Sequence, residues 1–198
     1  GPSAEGSTDG TGTVGLDAKV GLTTNFTLDA TVNPDFGQVE ADPSVMNLTA
    51  YETFFDEKRP FFLEGKSIAS FALQDSDTLF YSRRVGHAPS VAPTLGPGEA
   101  TRLPESTTIL GAVKVTGKTA SGLSLGLIQS LTQRENAVIT APGGTRKETA
   151  EPWGSYTVAR LHKDWDKGNT SLGGMLTYTR RGSEEATNPF LPESAFAG

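Results

Sequence analysis

The chain has 198 residues, of which 35% are hydrophobic and 20% charged, with 23 glycines and a net charge of -6. So small an apolar share leaves little for an ordinary globular core, and the acidic balance gives no basic footprint for nucleic acid. There is no cysteine, which excludes disulfides, thiolate metal sites and cysteine nucleophiles.

Residues 1–13 are Gly, Ser, Thr and acidic residues, starting Gly1-Pro2-Ser3. They read as a linker or tag remnant on a fragment of a longer protein. No run approaches 18 consecutive apolar residues, so no transmembrane helix is predicted. Barrel strands, however, need only about 9–11 residues, with every second one facing lipid.

From Val14 the pattern has period 2. Val14, Leu16, Ala18, Val20 and Leu22 alternate with polar or small residues. After Thr24-Asn25 the alternation resumes in Phe26, Leu28, Ala30 and Val32. This predicts an antiparallel hairpin with the leucines and valines on one face and Asp17, Lys19 and Asp29 on the other. A second hairpin is predicted over 107–133. Ile109, Gly111, Val113 and Val115 share a face; after the turn Gly117–Gly122, so do Leu123, Leu125, Leu127 and Leu131. Gln129 interrupts that row. A third runs from 155 to 181 and turns at Asp166–Asn169, with Leu172, Gly174, Leu176 and Tyr178 on its clearest face. Trp165 and Tyr178 stand near strand ends, where interfacial aromatics belong.

The turns inside the hairpins are short, and the connections at 34–106 and 135–154 are long. Outer-membrane barrels show this asymmetry. Within 34–106, the spacing over Ser44–Phe55 suits a short helix, Pro60 bars its continuation, and Asp77–Gly86 reads as a strand. A connection of this size with apolar clusters of its own is expected to fold over or into the barrel mouth. Residues 182–198 read as the start of the next loop.

Several of these segments carry a resemblance. NPDFGQVEADP (33–43), NLTAYETFFDEKRPFFLEG (47–65), LFYSRRVG (79–86) and TTILGAVKVTGKTASGLSLGLIQ (107–129) are similar, in that order, to an uncharacterised bacterial family. The family is a domain of unknown function held to form an outer-membrane β-barrel. Its members commonly carry an upstream module resembling the family-9 carbohydrate-binding domains of xylanases. They are longer than this chain, with further strands. The resemblance implies an outer-membrane location, a lipid bilayer as partner, and a link to glycans or other polymers. It brings no catalytic residues.

Few constellations carry chemistry. Gly122–Gly126 matches G-x-S-x-G, but that motif needs a strand-to-helix turn that exposes the serine. Ser124 lies instead in a strand of alternating leucines. His87 and His162 have no metal spacing. Asp35, Glu40 and Asp42 form an acidic cluster without an EF-hand pattern and read as turn caps. No cofactor is expected. The one candidate cluster is Phe54, Phe55, Glu57, Arg59, Phe61, Phe62 and Glu64, around Pro60. Aromatics with mixed charge suit a structural clamp of a plug, with Arg59 paired, or alternatively a ligand site.

The sequence therefore predicts an all-β, antiparallel up-and-down sheet over 14–198, part of an outer-membrane β-barrel, with 34–106 as a partly helical insertion. Six strands do not close a barrel. The expected function is binding or passage of a polymer or glycan at the cell surface. The alternative is a polysaccharide hydrolase using carboxylates of the lumen or loops, which requires a suitably separated carboxylate pair.

Overall fold

A computed structural model describes residues 14–34, 56–64, 72–74, 77–182 and 194–197. In chain order, β1 (Leu16–Gly21) and β2 (Phe26–Val32) are followed by the helical turn α1 (Pro60–Leu63). A short ladder of β3 (Ala72–Gln74) and β4 (Asp77–Thr78) and the strand β5 (Ala100–Arg102) come next. The remaining strands are β6 (Ile109–Lys118), β7 (Leu123–Thr132), β8 (Glu135–Ala141), β9 (Gly144–Glu151), β10 (Gly154–Trp165), β11 (Thr170–Arg181) and β12 (Ser194–Ala197). The fold is all-β. Among the described residues no helix is long and apolar enough to cross a membrane.

Seven strands form the main sheet in the order β1-β2-β6-β7-β10-β11-β12, and every neighbouring pair is antiparallel. The three hairpins expected from period 2 are β1–β2, β6–β7 and β10–β11. Their turns lie at one end of the sheet, as the registers Phe26↔Gly117, Lys118↔Ser124 and Lys163↔Leu123 require. The β10–β11 turn holds Asp166 and Lys167 at φ 49° and 58°. Such left-handed pairs match the twist of the flanking strands.

Four local expectations need correction. Residues 135–154 are not a plain loop: β8 and β9 form a hairpin that joins β5 in a second, three-stranded sheet. The last segment supplies β12, paired with β11 from Thr177↔Ala197 to Arg180↔Ser194, where only a loop was expected. Asp77–Gly86 is a strand only at β4 and then closes into a 3-10 turn at Ser82–Arg84. Pro60 begins a helical turn instead of ending one, because proline lacks only an N–H that the first turn leaves unpaired anyway. The helix expected over Ser44–Phe55 lies outside the described residues.

The two faces of the main sheet are opposite in kind. Leu16, Ala18, Val20, Leu28, Ala30 and Val32 fall on one face of β1–β2, with Asp17, Lys19, Asp29 and Thr31 on the other. Val113 and Val115 continue the apolar row on β6, Leu125, Leu127 and Leu131 on β7, Leu161 on β10, and Leu172, Leu176 and Tyr178 on β11. This face is open: Leu16 and Leu172 are each 70% exposed. The other face is largely polar and is covered at its centre, with Lys114 and Thr31 2% and Ser130 0% exposed, while Asp17, Lys19 and Lys118 toward its margins stay exposed. Ile109 leaves the expected apolar row. A register shift between Ile109 and Gly111 turns it to the covered side, where it is buried, and leaves Leu110 exposed.

Gln129 stands on the open face but is not left unpaired. Its amide nitrogen donates to Ser155 Oγ at 2.9 Å, and its carbonyl accepts from Thr157 Oγ1 at 2.6 Å. These three side chains satisfy one another across β7 and β10 in the midst of the apolar row.

Candidate functional site

The covered face carries the candidate cluster. Residues 56–64 and the segment 79–91 lie against it, and Phe62 and Val85 join Ile109, Ile128, Tyr156, Val158 and Met175 in one buried apolar group. Phe61, Leu79 and Phe80 pack at its margin. The rings of Phe61 and Phe62 meet edge to face, with centroids 5.1 Å apart. Phe54 and Phe55 lie outside the described residues.

Arg59 is buried, 5% exposed, and bound on every side. Its Nε and Nη2 donate to the Glu57 carboxylate at 2.8 and 2.7 Å, Nη1 to the carbonyl of Val85 at 2.5 Å, and Nη2 also to the carbonyl of Ser82 at 2.7 Å. The guanidinium lies 4.4 Å from the centre of the Phe62 ring. Ser82 Oγ donates to the second oxygen of Glu57 at 2.5 Å. A planar fork pairing both carboxylate oxygens is the strong form of this interaction. It also explains the 3-10 turn: the carbonyls of Ser82 and Val85 turn inward because Arg59 receives them. Burial alone would raise the Glu57 carboxyl. The hydrogen bonds and charge of Arg59, the Ser82 hydroxyl and the Arg59 backbone N–H outweigh it and hold the group below its ordinary value.

A second set of contacts joins this segment to the sheet. Lys114, on the covered face of β6, donates to the carbonyls of Phe61 at 2.6 Å and Glu64 at 2.9 Å. Its ammonium sits 4.7 Å from the Phe61 ring centre and 3.5 Å from Asp29. Lys19 on β1 bridges Asp29 at 3.6 Å and Glu64 at 2.5 Å. The hydrogen bond and charge of Lys19 lower the Glu64 carboxyl below its ordinary value. Among the described members of the candidate cluster, Glu57 and Arg59 thus make an inner clamp, Phe62 carries the Arg59 guanidinium on its ring and packs into the sheet's apolar group, and Phe61 and Glu64 meet Lys114 and Lys19. Sequence reasoning missed Lys19, Asp29, Lys114, Ser82 and Val85 as partners. The alternation did put Lys114 and Asp29 on the polar face, and a lysine midway along a strand of membrane length calls for a nearby counter-charge.

The other residues weighed for chemistry are dispersed or incomplete. Ser124 and His162 are cross-strand partners on the covered face, and His162 Nδ1 is 3.4 Å from Asp164. The imidazole leans the other way, over Gly173, where an added Cβ would lie 2.9 Å from its Cδ2. Asp164 is held by Lys118 at 2.7 Å. Ser124 sits within a strand and makes no hydrogen bond to His162, so no nucleophile is prepared. His87 lies 3.7 Å from Glu151, which accepts from Ser90 Oγ and the Ser90 backbone N–H, at the junction of the two sheets. Among the described residues no group of three or more His, Asp or Glu could hold a metal ion. Asp35, Glu40 and Asp42 lie outside them.

Comparison with curated proteins and with solved structures gives no match. Comparison with family profiles gives one, the Domain of unknown function (DUF5916), over residues 2–185. That match spans nearly the whole chain, and the chain belongs to the DUF5916 family.

Proposed function

We propose that this chain is part of the wall of a β-barrel in the bacterial outer membrane, that residues 56–64 and 79–91 pack on its lumen side, and that the barrel binds or passes a polymer or glycan. The observation that carries the reading is the inverted polarity of the main sheet. A water-soluble sheet hides its apolar row, whereas here the leucines are open and Asp29 and Lys114, at the centre of the opposite face, are covered. Exposed apolar rows mark a surface that meets a membrane or a protein partner, and the strand lengths and barrel-like hairpin order favour the membrane. The Gln129–Ser155–Thr157 group fits the same setting, since a polar side chain facing lipid is tolerable only when its groups are paired. The open row of β11 from Thr170 to Arg180 spans about 33 Å along the strand at some 3.3 Å per residue. At a barrel tilt near 40° this becomes about 25 Å, the height of an outer-membrane apolar band. Trp165 and Tyr178 stand near its two ends, both exposed. The glycan or polymer rests on the family resemblance and its upstream carbohydrate-binding-like module. The covered carboxylates Asp29 and Glu57 and the exposed Glu64 are all held by cations, so the hydrolase alternative gains no support from them.

The test uses the absence of native cysteines. Single substitutions Val20→Cys, Leu127→Cys and Leu172→Cys on the open face, and Thr31→Cys on the covered face, would be labelled with an environment-sensitive fluorophore. The labelled full-length protein would then be assembled in vesicles containing spin-labelled lipid. Quenching is expected at the first three positions and not at Thr31→Cys. Equal quenching on both faces, or none on either, would end the membrane-wall reading.

A further inference from the structure

The registers place two cations on the open face of the main sheet and, among the described residues, no carboxylate. Lys163 stands at the end of the tight turns and is already engaged. Its ammonium donates to the carbonyl of Ser121 and lies 5.8 Å from the centre of the Trp165 ring. Arg180 stands at the other end and is exposed. It makes no hydrogen bond or ion pair among the described residues.

What surrounds Arg180 is a set of hydroxyls. Ser155 of β10 is its partner on one side and Ser194 of β12 on the other, and Tyr178 lies two positions before it on the same face. Side chains directly opposite in neighbouring strands have Cβ atoms about 4.5–5.5 Å apart, so one small anion can meet the guanidinium and these neighbours together. Ser155 also ends a directed run of hydrogen bonds. Thr157 donates to the Gln129 carbonyl, and the Gln129 amide nitrogen donates to Ser155 Oγ. The Ser155 oxygen is thus an acceptor within that group, and its hydrogen is left to an acceptor outside it, beside Arg180.

The depth is that of a headgroup. Arg180 closes the open row of β11, next after the aromatic Tyr178, where an apolar band meets water. Beneath it the rows of Leu127 and Leu176 offer a surface for acyl chains. Short turns face the periplasm in such barrels, so this end meets the outer leaflet. An arginine fork matches two oxygens of a phosphate, and a face without carboxylates does not repel one.

We propose that Arg180, with the hydroxyls of Ser155, Ser194 and Tyr178, binds the phosphate of an outer-leaflet lipid headgroup, whose chains lie along the apolar rows beneath. This rests on the open face being the lipid-facing side of a barrel, and it names the chemistry of the lipid held there.

The test uses full-length protein carrying a fluorophore on Leu176→Cys, in phosphatidylcholine vesicles with a minor share of lipid A that bears a quencher on its acyl chain. Lipid A is a phosphorylated glycolipid and should quench well beyond its share of the bilayer. Arg180→Met should weaken that preference about tenfold or more, and Arg180→Lys should keep part of it. Lys163→Met, at the opposite end, should leave it unchanged. Lipid A stripped of its phosphates should quench no better than phosphatidylcholine carrying the same quencher. That arm needs no change at Arg180 and decides if Arg180→Met fails to assemble. A preference that survives Arg180→Met, or that survives loss of the phosphates, would overturn the site. Displacement by inorganic phosphate would mark a site for free anions and overturn the lipid assignment. Quenching by phosphatidylcholine at Leu127→Cys and Leu172→Cys with no preference for lipid A would overturn the site and leave the membrane wall standing. Quenching by neither lipid at any of these positions would sink the wall itself.

Discussion

Leu127 lies midway along β7 on the open face, opposite Val115 on one side and Ala159 on the other, and is 39% exposed. Replacing it by arginine separates a wet surface from a lipid-facing one. On a wet sheet, a long charged side chain at a partly exposed position changes stability by no more than about 0.5 kcal/mol. At the midplane of a bilayer, arginine on the lipid face costs about 2–4 kcal/mol. At 1.4 kcal/mol per factor of ten, that is a shift of about 30- to 700-fold in the assembly equilibrium. The assay is reversible urea unfolding of full-length protein in phospholipid vesicles, with Leu127→Phe as the control expected to stay near the native value. A Leu127→Arg protein that assembles within 0.5 kcal/mol or so of the native one would refute the lipid-facing assignment of this row.

Three further outcomes are expected. Thr157→Val leaves the Gln129 carbonyl without its donor and should cost roughly 1–2 kcal/mol. The triple change Gln129→Leu, Ser155→Ala, Thr157→Val should be neutral or stabilising in lipid, so additive losses in the same unfolding assay would contradict the paired group. Glu57 is held below its ordinary value by Arg59 and Ser82 despite burial, so its stabilisation is complete above the ordinary glutamate value of about 4.3 and is lost as the pH falls through the lowered one. Protection of the Val85 backbone N–H, bonded to Ser82 O, should accordingly weaken on acidification once intrinsic exchange is corrected for, and unchanged protection at pH 3 or so would count against the clamp. Gly122→Ala should destabilise the β6–β7 turn by about 1–2 kcal/mol, because Gly122 has φ +87° and an added Cβ would lie 2.8 Å from the Asp164 carbonyl; a native melting point in that variant would argue that the turn is free to shift.

The three hairpins of the main sheet and the facing of β1–β2 were legible in the sequence, because period 2 fixes which residues share a face whatever the surroundings. Other features depended on context. Asn136, Val138 and Thr140 alternate with Ala137 and Ile139, and Pro142-Gly143-Gly144 marks a turn, so β8–β9 left a local signal. It was overshadowed by the expectation of a long loop. β12 has only four residues, too few for periodicity to register. The turn at Ser82–Arg84 depends on Arg59, more than twenty residues away, and local alternation reads that stretch as strand. Ile109 changed sides through a bulge, which moves one residue without altering the sequence pattern. Within the candidate site, the Glu57–Arg59 pair was visible as neighbouring opposite charges. The bonds of Lys114 to Phe61 and Glu64 run to backbone carbonyls, which no side-chain pattern reveals.

Strands β2 and β6 are neighbours in the main sheet, yet everything from 33 to 108 lies between them. Bringing the ends of such a segment together costs about 2–3 kcal/mol more in chain entropy than closing the turn at 119–122. The β1–β2, β6–β7 and β10–β11 hairpins and the pairing of β7 with β10 involve shorter separations, so chain entropy favours their forming before the β2–β6 seam. A sheet assembled in this order leaves the facing edges of β2 and β6 unpaired until the 33–108 segment has folded back between them.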